Sequence, residues 1–139
     1  MSEKSGKCNC GAVAFKATPK NGDVGVCHCS KCRRMAAGPF FALDCGDTVK
    51  FESEESVGVY NSSEWAERGF CKQCGSVLFW RTKDRAVNIV SVDAFDDPID
   101  LTLDHEVFID EKPGYYSFAE KAKQMTGQEC FEQFAKSSE

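Results

Sequence analysis

Seven cysteines in three short clusters constrain this chain more than any other feature. They read Cys8-Asn9-Cys10-Gly11, then Cys27-His28-Cys29-Ser30-Lys31-Cys32, then Cys71-Lys72-Gln73-Cys74-Gly75. Thiolates packed this closely are soft ligands that suit zinc. A closed structural zinc takes four protein ligands, and a zinc with an open position for chemistry takes three. Seven therefore divides into four and three. The division predicts two zinc ions per chain, one structural and one catalytic.

Disulfides are the competing use of so many cysteines. The start, Met1-Ser2-Glu3-Lys4-Ser5-Gly6-Lys7, is polar and lacks the apolar core of a secretory signal. The total of nine cysteines is odd, and Cys-X-Cys and Cys-X-X-Cys are metal spacings. These observations favour thiols held on metal in a reducing, cytoplasmic setting. Cys45 and Cys130 lie outside the clusters and read as small buried hydrophobes.

A length of 139 residues suits one domain, 1–139, with a modest core. The net charge of −5 argues against a nucleic-acid surface or a polybasic membrane contact. No apolar run approaches the roughly 18 residues of a membrane span.

The chain alternates short apolar runs with turn residues, which is the strand signature. Strands are predicted at 12–17, 23–27, 39–44, 49–51, 57–60, 69–71, 77–81, 87–92 and 105–109. Their regular spacing points to a mainly β fold of packed sheets. The tail, about 115–137, is rich in Glu, Lys, Gln and Ala and predicts helix. Phe118, Ala122 and Met125 fall at helical spacing, and Gly127 is expected to split the tail into two short helices.

Cys8 and Cys10, two apart on an extended strand, would share a face. Cys71 and Cys74 have the spacing of a zinc knuckle. Gly11 and Gly75 follow the two pairs directly and would let the backbone turn sharply and aim N–H groups at sulfur. Cys8, Cys10, Cys71 and Cys74 are therefore expected to form a closed, structural zinc site whose binding is part of the folding free energy.

Cys27, Cys29 and Cys32 form the open set. If Cys27 and Cys29 share a face, His28 points the other way. It is then a packed residue, an outer partner of the site or a contact for another molecule. Lys31, Arg33 and Arg34 crowd this cluster. They ease the charge of three thiolates, attract an anionic substrate, or form a solvated basic turn. Three thiolates donate much charge and weaken zinc as a Lewis acid. That favours chemistry on a substrate thiol over activation of water.

The motifs resemble a known family. Cys8-X-Cys10-Gly11-Ala12-Val13-X-Phe15 is similar to the opening motif of the glutathione-dependent formaldehyde-activating enzymes, also called the centromere protein V/GFA domain family. The run from Cys27 to Arg34, with Gly38 and Phe40, resembles the second motif. The run from Arg68 to Phe79 resembles the third. The likeness covers roughly residues 6–110. It implies an Mss4-like, mainly β fold of zinc-pinned antiparallel sheets. It also implies structural zinc on Cys8, Cys10, Cys71 and Cys74, and catalytic zinc on Cys27, Cys29 and Cys32. The implied activity is a carbon–sulfur lyase reaction joining glutathione and formaldehyde as S-(hydroxymethyl)glutathione. Lys31, Arg33, Arg34 or Arg68 would then hold glutathione carboxylates.

Two other functions fit the same residues. One is a non-catalytic, zinc-stabilised protein-binding module that uses exposed aromatics such as Trp65 or Trp80. The other is a thiol redox sensor that releases zinc when Cys27, Cys29 and Cys32 are oxidised.

Overall fold

Alternating apolar residues build strands along most of the chain, as Phe15 and Ala17, and Val24 and Val26, illustrate by their burial. The computed structural model describes residues 1–138. The elements are β1 (Lys4–Lys7), β2 (Ala14–Ala17), β3 (Asp23–Cys27), α1 (Ser30–Ala36), β4 (Phe40–Asp44), β5 (Lys50–Phe51), β6 (Val57–Asn61), β7 (Ala66–Cys71), β8 (Val77–Thr82), β9 (Asn88–Ser91), β10 (Thr102–Val107), β11 (Lys123–Met125) and α2 (Gly127–Ser138). Short 3₁₀ turns occupy Val92–Ala94 and Ile109–Glu111. No helix among the described residues is long and apolar enough to cross a membrane.

The chain divides into two compact units. The first comprises Met1–Gly22 and Ala42–Leu101. Here β1, β2 and β5 form one antiparallel sheet. A second antiparallel array runs β4-β9-β8-β7-β6. Val13, Phe15, Leu43, Leu78, Phe79 and Val90 are buried among them. Phe15 packs edge-on against Phe95, with centroids 5.5 Å apart. One ion pair lies within this core. Arg81 is 2% exposed, and its Nη2 lies 2.7 Å from Glu67 Oε2. The same guanidinium stacks 4.5 Å from the Phe79 centroid, so its carbon face is covered as well as its nitrogens.

The second unit comprises Asp23–Phe41 and the residues from Thr102 onward. In it β10 lies between β3 and β11 and runs parallel to both. The expectation of antiparallel sheets holds in the first unit, and the second adds these parallel neighbours. Parallel pairing needs a long connection between partners. Here β3 and β10 are separated by most of the chain, so no local pattern announces it.

The tail departs from the expected pair of helices. Residues 117–122 are irregular, 123–125 form β11, and Gly127 opens a single helix instead of dividing two. Tertiary contacts override helix propensity here. The Lys112 ammonium donates to the carbonyls of Pro113 and Tyr116 and to Ser117 Oγ, which turns the chain back on itself. Phe118 then packs against Phe41. Helix α2 starts where a reciprocal cap forms. Glu129 N donates to Thr126 Oγ1 at 3.1 Å, and Thr126 N donates to Glu129 Oε1 at 3.1 Å.

Candidate metal centres

In the first unit, the sulfurs of Cys8, Cys10, Cys71 and Cys74 converge, all within 4.8 Å of one another. Cys8 and Cys10 lie beyond the end of β1, on a turn and not on an extended strand as the i, i+2 spacing suggested. Of the second pair, Cys71 ends β7 and Cys74 sits on the turn that leads to β8. The two turns share their hydrogen bonding. Cys8 N donates to Val13 O at 2.9 Å, and Cys71 N donates to Ser76 O at 2.9 Å. Backbone N–H groups also aim at sulfur. Val13 N lies 3.2 Å from Cys8 Sγ, and Gln73 N lies 3.3 Å from Cys71 Sγ. Against burial, which raises it, the Val13 N–H and the neighbouring sulfurs hold the Cys8 thiol below its ordinary value. The Ser76 hydroxyl, 3.1 Å from Cys74 Sγ, together with backbone N–H groups, holds the Cys74 thiol down at about 5.

In the second unit, the sulfurs of Cys27, Cys29 and Cys32 form the other group within 4.8 Å. Cys27 ends β3, Cys29 caps α1, and Cys32 lies in its first turn. Cys29 Sγ accepts from Cys32 N at 3.3 Å, the bond that a serine hydroxyl would accept in an ordinary helix cap. The neighbouring sulfurs of Cys29 and Cys32, and then burial, push the Cys27 thiol far above its ordinary range. Three thiolates at this spacing repel one another unless a cation compensates them. Soft donors, close convergence and mutual repulsion make both groups fit for a zinc-like ion, and each group could hold one.

His28 is wholly buried and is not one of the groups that converge with the three sulfurs. Its Nδ1 lies 2.6 Å from Tyr116 Oη, and its Nε2 lies 2.8 Å from Glu106 Oε1. Burial raises the Tyr116 hydroxyl above its usual value, against the pull of Arg33. A carboxylate only accepts, so Nε2–H donates to Glu106, while the Tyr116 hydroxyl, able to donate or accept, meets Nδ1. With both nitrogens committed, His28 is a packed outer partner and not a ligand. Glu106 and Tyr116 were not foreseen. They lie 78 and 88 residues away in sequence, and only the fold brings them to His28.

The cations also separate. Arg33 does not form a solvated turn. Its Nε donates to His28 O at 2.9 Å, and its Nη2 donates to Glu111 O at 3.4 Å. Lys31 and Arg34 are exposed on α1. Arg68 is 6% exposed within the first unit and offers no surface charge. Gly38 serves the turn that ends α1, where its N–H donates to Arg33 O. Cys45 is buried as expected, and that burial pushes its thiol up to about 12. Cys130 is half-buried on α2.

Known proteins are similar to this chain. The family model described as glutathione-dependent formaldehyde-activating enzyme matches residues 3–111. A Schizosaccharomyces pombe protein named as an uncharacterized lyase is 35% identical over 137 residues, spanning 98% of this chain and 100% of its own. A Halomonas elongata protein that carries the family's name is 32% identical over 83 residues, 53% of each chain. The crystal structure of a Rhodobacter sphaeroides protein aligns with a TM-score of 0.58 at 26% identity, covering 66% of this chain and 87% of that one. On the family match and the full-length relative together, the chain belongs to the glutathione-dependent formaldehyde-activating enzyme family.

Proposed function

We propose that this protein is a zinc-dependent carbon–sulfur lyase acting on a thiol–aldehyde adduct of the S-(hydroxymethyl)glutathione type. The observation that carries the reading is the unequal ligand count. Among the described residues, one cluster has four sulfurs and the other three. The obvious fourth donor, His28, is already used at both ring nitrogens. The four-sulfur cluster is then a closed scaffold, and the three-sulfur cluster keeps a position for a substrate. Zinc held by Cys27, Cys29 and Cys32 would supply a centre that favours the ionised form of a substrate thiol.

The reaction balances without a further reagent. In synthesis, the thiol sulfur bonds to the carbonyl carbon and the thiol proton ends on the carbonyl oxygen. In lysis, the carbon–sulfur bond breaks and the hydroxyl proton returns to sulfur. The residues around the cluster suit an anionic thiol such as glutathione. Lys31 and Arg34 are exposed next to Cys32, while Arg33 is spent on the backbone.

The test compares wild type with Cys29→Ser in condensation and in lysis, with buffer as the reference because thiols add to formaldehyde unaided. Wild type above background and Cys29→Ser at background is the expected result. Equal rates at background for both would remove the lyase reading.

One observation favours a second reading, a zinc-stabilised binding module. Trp65 is 49% exposed and packs edge-on against Trp80, and Tyr60 is 55% exposed in the same unit. Stable capture of a protein partner that is lost in Trp65→Ala, with no calorimetric binding of glutathione, would favour it over the lyase.

A further inference from the structure

Every polar group of His28 is engaged. Its backbone N–H donates to Val107 O at 3.1 Å, and its carbonyl accepts from Arg33 Nε at 2.9 Å. Its ring nitrogens meet Tyr116 Oη at 2.6 Å and Glu106 Oε1 at 2.8 Å. The ring also packs against the rings of Tyr116 and Phe118, with centroids 5.4 and 5.7 Å away. Its side chain is 0% exposed and that of Glu106 is 5% exposed. A ring held this way cannot turn without leaving buried polar groups unsatisfied. His28 stands between Cys27 and Cys29 in the chain. Its orientation therefore sets the directions in which both flanking side chains leave the backbone.

We infer that Glu106 and Tyr116 are positioning residues for the three-sulfur cluster. Acting through His28, they hold Cys27 and Cys29 in the arrangement that receives a metal ion. The inference rests on the reading of that cluster as a zinc centre. Ligands held in place before the ion arrives lose less freedom on binding, so the gain appears as metal affinity. Tyr116 lies beyond residue 111, where the family match ends. The device thus joins a family motif to a segment outside the matched region.

Cobalt(II) is the probe, because its thiolate charge-transfer and d–d absorption report ligand number and geometry. It is titrated, against a competing chelator, into full-length chain whose four-sulfur cluster already holds zinc. Tyr116→Phe and Glu106→Leu should each weaken cobalt uptake by about tenfold and shift the d–d bands. Melting temperature and zinc in the four-sulfur cluster should stay close to wild type. Glu106→Gln, whose amide oxygen still accepts from Nε2–H, should recover most of the affinity.

Wild-type affinity and spectrum in folded Tyr116→Phe would overturn the inference and leave the zinc reading standing. So would equal weakening in Glu106→Gln and Glu106→Leu. If Glu106→Leu does not fold, Tyr116→Phe decides, since it keeps the ring and removes only the hydroxyl. A wild-type chain that takes up no cobalt beyond the filled cluster would overturn the zinc reading and the inference together.

Discussion

Gly11 and Gly75 adopt the same left-handed backbone, at φ +82° and +80°, each directly after a cysteine of the four-sulfur cluster. An added Cβ would meet nothing within 4 Å at either position, so the constraint is torsional and not steric. Left-handed backbone costs a residue with a Cβ about 1–2 kcal/mol. Gly75→Ala should therefore lower stability by that amount, and Gly75→Asn by less, in urea unfolding of the metal-loaded chain. Gly114 has equal room and no positive φ, so Gly114→Ala is the control and should be near neutral. Equal behaviour of Gly75→Ala and Gly114→Ala would refute the torsional account.

The two clusters should respond differently to loss of one ligand. Structural zinc contributes roughly 10–16 kcal/mol in small zinc domains, as much as or more than the ~5–15 kcal/mol by which domains are stable. Cys74→Ser should lose the metal of its cluster and unfold the first unit. Cys29→Ser should lose the other metal, keep its fold and drop to background activity. Native mass spectrometry with thermal melting reads both outcomes. A folded, metal-depleted Cys74→Ser would contradict the scaffold role of the four-sulfur cluster.

Most of the site was legible in the sequence because its chemistry is local. Cysteines two and three apart marked the members of each cluster and the count of seven suggested four and three, whereas the turn that carries Cys8 and Cys10 was not read from their spacing. Val13, Phe15, Val24, Val26 and Val90 showed their burial through alternation. The short helix after Cys29 was hidden, because a thiol replaces the usual oxygen cap. The tail misled for the opposite reason. Its composition favours helix, yet Tyr116 and Phe118 are drawn to His28 and the Lys112 ammonium bends the chain. The Thr126 and Glu129 cap, which sets the start of α2, was not read from the sequence. The partners of His28 had no local signal, since β10 meets β3 only through a parallel pairing distant in sequence.

The Glu67–Arg81 pair makes a prediction independent of metal. Both partners are largely buried, with side chains 14% and 2% exposed. Removing one partner leaves a charge without compensation in the core, which costs about 3–5 kcal/mol. Glu67→Ala should show that loss in denaturant unfolding. Glu67→Gln, which keeps an acceptor for Arg81 Nε, should lose less. The replacement of both residues by apolar ones of similar size should recover much of the stability, because the pair's own desolvation is then avoided. A loss below about 1 kcal/mol in Glu67→Ala would show that water reaches Arg81.

Chelation should empty the clusters in sequence. Four thiolates hold an ion more firmly than three, and that difference in ligand number outweighs the exposure of Cys10 and Cys74. The open position of the three-sulfur cluster also gives a chelator a place to attack. On titration with chelator, native mass spectrometry should therefore pass through a species with one zinc. Alkylation of that species should label Cys27, Cys29 and Cys32 and spare Cys8, Cys10, Cys71 and Cys74. Its melting temperature should remain near that of the fully loaded chain, and should fall only as the second zinc leaves. Labelling in the reverse order, or loss of both ions in one step with unfolding, would show that the three-sulfur cluster is as much a part of the scaffold as the four-sulfur one.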